Sequence, residues 1–507
     1  MAPALTNVDY AIVGAGVFGA SSALHLIRRF PNAQVVLIDS HNAHPAAASS
    51  DYNKIVRANY KDIRYMKLAL EAMDLWRSDP ILKSYYHETG TAYCDDDINV
   101  GREILENYKK LGLDGNKEIL NASAARNRFP QLRDTVLTDV NEVFWNPEGG
   151  WAEANGALAA VVKAAVDEGV RFYEGAVTNL LLDVVGRRCR GVRVANAEGA
   201  MDLNARQVVL CTGAHTAKLL ADTAPDWGEL QVSDRFMAAG AVQCTARYDS
   251  VKVGDKLKNM PVLMLSNWHT HGAVLPLLES KLKINCEIPF TNMTFHEGLG
   301  KEISIPPPSL SQSIFGQDVP QGLREEAQYV TKSALGNYIE DLDIDSYRMC
   351  WDSVSPDQDW VIDAYPHCEG LFIAAAGSFH SWKFLPNLGK YVVQRMQGEL
   401  EDGLGKKWAW DRPISKGSDM YSPERDVKDI VSHVLDRLRT RPPPAEYLCA
   451  SHEEQTEQID GVRFEVAINI RVPAAMKSRR RTKIVEIVVR GQGLGIMYYD
   501  SPTLMTG

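Results

Sequence analysis

Three glycines and one aspartate carry the first chemistry visible in the chain. Gly14-Ala-Gly-Val-Phe-Gly19 has the spacing GxGxxG, and Asp39 follows about twenty residues later. This pattern suits a dinucleotide. Small residues let the backbone approach a pyrophosphate, the N–H groups that open the next helix donate to it, and an acid closing the next strand accepts from ribose hydroxyls. The elements that must position these groups are legible beside them. Residues 8–13 (VDYAIV) read as a short buried strand, 21–30 (SSALHLIRRF) as an apolar-periodic helix, and 34–39 (QVVLID) as a second strand. Together they form a βαβ unit.

Further along, the spacing predicts helices over 62–78, 155–168, 322–342 and 386–400. Strands are predicted over 171–194, 207–210 and 371–376, with several strand-like stretches in 236–292. Pro442-Pro-Pro444 interrupts the pattern. Beyond it lie two strand-like runs and a basic cluster, Lys477 to Lys483, with no functional reading; a surface extension is expected there.

Net charge is −10, which gives no footing for nucleic-acid binding and argues against attraction to an anionic membrane. The eight cysteines are scattered without a CxxC pair, so zinc and dithiol readings fail and no metal is expected. No N-terminal signal pattern is visible, and the final Met505-Thr-Gly507 is not a Ser-Lys-Leu type signal. An intracellular, cytoplasmic protein is expected.

FAD and NAD share the glycine fingerprint. Val208-Val-Leu-Cys-Thr-Gly-Ala214 resembles the second nucleotide-contacting segment of glutathione-reductase-like flavoproteins. The strand and turn from Leu371 to His380 resemble their segment that returns to the flavin ring. Three further stretches extend the resemblance. They are Ser49-Ser-Asp-Tyr-Asn-Lys-Ile-Val-Arg57, Lys281-Leu-Lys-Ile-Asn-Cys-Glu287, and the pair Arg348-Met-Cys-Trp-Asp352 with Ala376-Gly-Ser-Phe-His-Ser-Trp-Lys383. Over residues 7–400 the chain resembles the monomeric sarcosine oxidase and amadoriase group of FAD-dependent amine oxidases, which includes saccharopine and pipecolate oxidases and N-methyl amino acid oxidases.

The resemblance implies an α/β fold: a Rossmann-like FAD-binding domain of glutathione-reductase type plus a substrate domain with a mostly antiparallel sheet. Residues 1–90, 151–235 and 345–415 are expected to form the first, 91–150 and 236–344 the second, and 416–507 an extension. It implies FAD joined to Cys350 through a thioether, with further contacts at Gly14, Gly16, Val17, Phe18, Gly19, Asp39, Ser40, Ser50, Asn53, Lys54, Thr212, Gly213, Gly377, His380 and Lys383. Arg57 and Lys383 would grip a substrate carboxylate, for which a guanidinium fork is well shaped. Lys283 would stabilise the anion that develops as oxygen is reduced. Glu287 stands where sarcosine oxidases carry a histidine.

The implied reaction oxidises an N-methyl or other N-substituted amino acid, an aromatic one if the chain resembles the fungal oxidases of alkaloid pathways, to an imine, with O2 reduced to hydrogen peroxide, in a monomer. A fructosyl amino acid or saccharopine-type substrate is the alternative, and a flavin-binding sensor without turnover the non-enzymatic one. One departure stands out. The group commonly has Gly-His-Gly where this chain has Phe379-His380-Ser381.

Overall fold

The computed structural model describes residues 7–40, 47–95, 98–133, 140, 142–249, 251, 253, 257, 260–267, 270–307, 318–414, 423–430, 455–459, 462–470 and 485–490. The chain forms two units, Met1–Val434 and Leu435–Gly507. The second contains a three-stranded antiparallel sheet with Val462–Ile470 between Gln455–Ile459 and Val485–Arg490. The basic cluster at 477–483 lies outside the described residues.

In the first unit the glycine turn joins β1 (Asn7–Val13) to α1 (Val17–Arg29), and β2 (Val35–Asp39) follows. β1 lies between two parallel neighbours, β2 on one side and Gly199–Leu210 on the other, with Ile12 opposite both Leu37 and Val209. A strand paired on both sides and covered on both faces must be apolar throughout, which is why VDYAIV does not alternate. Arg171–Glu174 adds beyond β2. The strands Ala176–Asp183 and Arg188–Asn196 extend the other edge, and Leu371–Ala375 runs parallel to the end of Gly199–Leu210. Helices Ala154–Asp167 and Leu388–Met396 pack on α1 and cover one face.

A second eight-stranded sheet runs in the order Leu342–Val354, Met237–Tyr248, Lys281–Phe290, Thr270–Leu277, Val262–Asn267, Thr91–Asp95, Glu142–Asn146, Glu118–Asn121. It is antiparallel except where Val262–Asn267 meets Thr91–Asp95. Its two faces differ in kind. Val242, Cys244, Ile284, Cys286 and Val274 face the helix Gln321–Leu335 in an apolar cluster. The residues between them point the other way. Gln243 stands opposite Asn285 and Arg348, Thr245 opposite Lys283, and Ala241 opposite Cys350. Because side chains alternate along a strand, this second face collects the polar and reactive groups of three strands.

A small third sheet places Gly150–Glu153 between Asn53–Val56 and Tyr86–His87. It brings Lys54 to the reactive face and sends the chain on to Arg57. The fold is therefore mixed α/β, with a nucleotide-type parallel sheet and a large, mostly antiparallel one, as the resemblance implied. The predicted helix over 322–342 is shorter: it ends at Leu335, where Gly336 takes a positive φ, and a 3-10 turn continues to Asp341. Among the described residues no helix is long and apolar enough to cross a membrane, and no cluster of His, Cys, Asp and Glu could hold a metal ion.

Candidate active site

A cleft of about 570 Å³ runs from the glycine turn to the reactive face of the large sheet. At its nucleotide end, Gly14 has φ +99°, and a Cβ there would stand 2.4 Å from the Cys211 carbonyl oxygen. A Cβ on Gly19 would meet the Gly14 carbonyl at 1.8 Å. Both positions therefore require glycine. Gly16 precedes the helix without a side-chain cap of its own, and no acid stands in the first turn of α1, so the positive helix end faces the cleft. Asp39 accepts from the Ala15 N–H at 2.6 Å, and the Ser49 hydroxyl accepts from Val17 N–H at 2.9 Å. These two bonds tie the turn to the next strand and to the loop that leads to Lys54.

The middle of the cleft is organised by Asp51, a residue for which the sequence reading had no role. Its carboxylate contacts Lys283 Nζ at 2.8 Å, Lys54 Nζ at 2.7 Å and Arg348 Nη1 at 3.7 Å, and Asp51, Lys283 and Arg348 have no exposed side-chain surface. Burial alone would push the Asp51 carboxyl up; the three cations overcome this and hold it well below the usual carboxylate range. Burial also lowers Lys283, to about 8, with Asp51 acting in the opposite sense. Lys54 reaches over to within 4.0 Å of the buried Cys350 Sγ.

The far end holds the second cationic pair. The Arg57 guanidinium and the Lys383 ammonium lie 5.4 and 5.3 Å from the centroid of one ring, that of Tyr60. Arg57 donates to the Asn59 carbonyl. Lys383 Nζ donates to Tyr60 Oη at 2.9 Å and to the His380 carbonyl at 2.6 Å. Burial, then Arg57, pushes Lys383 well below the ordinary lysine range, with Glu287 opposing. His380 Nε2 lies 2.8 Å from the Gln358 carbonyl, which accepts, so Nε2 carries the proton and Nδ1 accepts from Tyr60 at 3.2 Å. Burial, aided by Lys383, drops His380 to about 3, consistent with a neutral ring.

The turn that carries His380 and Lys383 is strained. Ala376, Ser378 and Phe379 have φ of +60°, +49° and +58°, a region costing roughly 1–2 kcal/mol for each non-glycine residue. Four of its backbone N–H groups are held by hydrogen bonds. Ser353 accepts from Ala376 N–H through Oγ and from Ser378 N–H through its carbonyl, both at 2.9 Å. Asp352 Oδ2 accepts from Phe379 N–H at 2.8 Å, and Gly377 O accepts from His380 N–H at 3.0 Å. Asp352 is buried, and burial raises it to about 6. Of the two replaced glycines, only Phe379 keeps a glycine-like backbone; Ser381 has φ −79°.

The cleft brings together Gly14, Gly16, Val17, Phe18, Asp39, Ser40, Lys54, Arg57, Thr212, Gly213, Glu287, Cys350, His380 and Lys383. The other expected residues support it from behind. Gly19 packs on Gly14, the Ser50 carbonyl accepts from Arg348, and the Asn53 carbonyl accepts from Lys283 at 2.6 Å. Gly377 sits against Asp352 and Ser381, and Lys283 is sealed behind Asp51. Tyr60, Asp51, Asp352 and Ser49 are the additions that the structure makes. An acid three residues before Lys54 and six before Arg57 is the sequence signal that could have pointed to Asp51.

These residues fit a flavin dinucleotide. The turn and helix end suit a pyrophosphate. Beside Cys350, the buried Gln243 Oε1, Asn285 Oδ1 and Trp382 Nε1 lack protein partners and face the cleft, as the polar edge of a ring system requires.

Known proteins agree. L-saccharopine oxidase of Schizosaccharomyces pombe is 27% identical over 433 residues, covering 81% of this chain and 94% of that protein. N-methyl-L-tryptophan oxidase of Yersinia pestis is 24% identical over 395 residues, covering 76% and 94%. A crystal structure of a modified fructosyl peptide oxidase from Aspergillus nidulans superposes with a TM-score of 0.69 at 24% identity, covering 84% of this chain and 99% of that one, which shows a shared fold. These relatives bear out the resemblance to the sarcosine oxidase and amadoriase group. Residues 9–395 match the family described as FAD dependent oxidoreductase; the chain belongs to this family of FAD-dependent oxidoreductases.

Proposed function

We propose that the protein oxidises a secondary-amine amino acid, an N-methyl or otherwise N-substituted one, to the imine, reducing O2 to hydrogen peroxide. The observation that carries this reading is the Tyr60 ring that Arg57 and Lys383 both approach, in the cleft that begins at the dinucleotide turn, with Arg57 close enough to lower Lys383. Two cations lining one end of a cleft suit a carboxylate. The glycine turn, Asp39 and the segment at Thr212 would hold FAD, which would supply a two-electron acceptor. Arg57 and Lys383 would fix the substrate carboxylate and thereby orient the amine and its neighbouring C–H. The Tyr60 and His380 rings, packed edge to face, stand at that end. Lys54, Lys283 and Arg348 make the field behind Cys350 positive, which favours an anion developing during oxygen reduction.

We further infer that Cys350 attaches the cofactor. It lines the cleft, and the Lys54 ammonium stands ready to accompany negative charge on the sulfur. A second reading, a fructosyl amino acid or saccharopine as substrate, is supported by Glu287, whose carboxylate shares the cleft with Lys383 and could accept from a polar N-substituent.

Acid precipitation of the holoenzyme tests the attachment: yellow colour should stay with the wild-type pellet and leave that of Cys350→Ala. Peroxide release from N-methyl amino acids, saccharopine and fructosyl amino acids tests the reaction. A bound flavin that none of these amines reduces would sink the proposal.

A further inference from the structure

We propose that Phe379 is a specificity-determining residue, held in a strained conformation by Asp352 so that an apolar ring stands at the carboxylate end of the cleft. The inference rests on the amine oxidase reading and names the substrate within it: an amino acid whose own side chain is apolar and ring-sized. Phe379 adopts φ +58°, where glycine would be free of strain, and it lines the cleft while remaining only partly buried. A strained non-glycine residue persists only where its surroundings over-determine it, and such residues cluster at functional sites. Here the surroundings are visible. Asp352 takes the Phe379 N–H at 2.8 Å with one oxygen and the Ser353 N–H at 2.8 Å with the other. The same carboxylate thus grips both sides of the contact between the turn and the strand that carries Cys350.

Phe379 is followed directly by His380, whose carbonyl accepts from Lys383, so it stands next to the proposed carboxylate site. Tyr93 and Met264 also line the cleft and add apolar surface to it, as Gln243 and Asn285 add polar surface. The carboxylate would be held by Arg57 and Lys383, and the side chain of the amino acid would lie against the apolar surface, with the N-substituent toward the polar groups.

The test compares Phe379→Gly and Phe379→Ala holoenzymes, alone and with Asp352→Asn. Alanine keeps the strain and glycine relieves it, so Tm should be higher for Gly than for Ala, the reverse of the usual order. Phe379→Gly should also recover most of the Tm lost in Asp352→Asn, because there is less strain left to hold. For activity, the probes are N-methylglycine and N-methylphenylalanine, with peroxide release as the readout. The wild type should prefer the second, and both Phe379 variants should lose that preference at least tenfold, through KM more than kcat. A preference kept by both variants, or faster turnover of N-methylphenylalanine in Phe379→Gly, would overturn the selective role. Equal Tm for Gly and Ala would overturn the strain. A wild type that turns over neither of these amines would overturn this inference; one whose flavin is reduced by none of the N-methyl amino acids, saccharopine or fructosyl amino acids would defeat the amine oxidase reading as well.

Discussion

Two buried lysines show how differently one fold can treat the same charge. Lys283 sits in a closed ion cluster: Asp51 contacts it and Lys54 with one oxygen and approaches Arg348 with the other, and none of Asp51, Lys283 or Arg348 has exposed side-chain surface. Lys383 is also buried but lines the cleft; its hydrogen-bond partners are a phenol and a backbone carbonyl, and the charge that acts on it most strongly is another cation, Arg57. Burying a charge is costly unless it is paired. The first site has met that cost within the protein. The second has met it only in part, through Glu287 acting against burial and Arg57, which is the condition the proposed carboxylate site needs.

The largest effect should come from removing the hub of the first site. Asp51→Asn leaves Lys283, Lys54 and Arg348 enclosed without a counter-charge. Breaking a buried pair in this way costs about 3–5 kcal/mol, so thermal unfolding of the variant should begin far below the wild type, with poor soluble yield. A variant within a degree or two of wild-type Tm would show that water reaches the cluster and that the two lysines do not differ as described.

Replacing each lysine by methionine sharpens the contrast. Lys283→Met strands part of the Asp51 charge and should lower Tm. Lys383→Met removes a buried, poorly paired ammonium and should leave Tm unchanged or raise it. Its cost falls on binding: a charged hydrogen bond is worth about 1.5–3 kcal/mol, so KM for a carboxylated amine should rise between tenfold and a hundredfold or so while kcat changes less. A pH effect accompanies this. Lys383 is lowered in the free site, and a bound carboxylate would raise it again, so binding takes up a proton. Carboxylate affinity should therefore fall as pH rises, and calorimetry in two buffers of different ionisation enthalpy should show the uptake. Its absence in the wild type would mean that Lys383 is already charged, like Lys54.

The nucleotide end of the cleft was legible because it is local. GxGxxG, the strand before it and the acid after it lie within a few turns of chain, and each conformational demand falls on one residue, such as Gly14 at φ +99°. Cys350, Arg57 and Lys383 were legible only through their wording in known relatives. What the sequence did not disclose depends on pairing at a distance. That Gln243 faces Asn285 and Arg348 is set by register across three strands. A shift by one residue would have turned all of them toward the helix. Tyr60 gains meaning only when Arg57 and Lys383, more than three hundred positions apart, arrive at its ring. Asp51 looked like one acid among several bases; burial made it the hub. Phe379 in place of a glycine was visible, but its left-handed backbone was not, since sequence alone cannot say whether a turn changes shape or bears the strain.

The smallest effect concerns His380, which belongs to the second site and shares its dependence on neutrality. In the fold its ring protonates only near 3, because burial and then Lys383 oppose the charge; in the unfolded chain it protonates near 6.5. Between these values the unfolded state binds more protons. The stability that a neutral His380 contributes is therefore fully present above 6.5 and is lost progressively as pH falls toward 3. His380→Asn keeps a polar side chain but removes this titration, so its Tm should decline less than that of the wild type between pH 7 and pH 5. Acidic groups that titrate lower, such as Asp51, are common to both proteins and cancel in the comparison. Asp352 acts in the opposite direction: its raised carboxyl favours the fold below the ordinary carboxylate value, and that contribution is lost as pH rises through about 6. The wild-type curve therefore has two opposed components in this window, and Asp352→Asn, which removes the second, should steepen the acid decline that His380→Asn flattens. Parallel curves for all three proteins would mean that neither group titrates as the enclosed second site requires, and the contrast with the closed cluster at Lys283 would then rest on contacts alone.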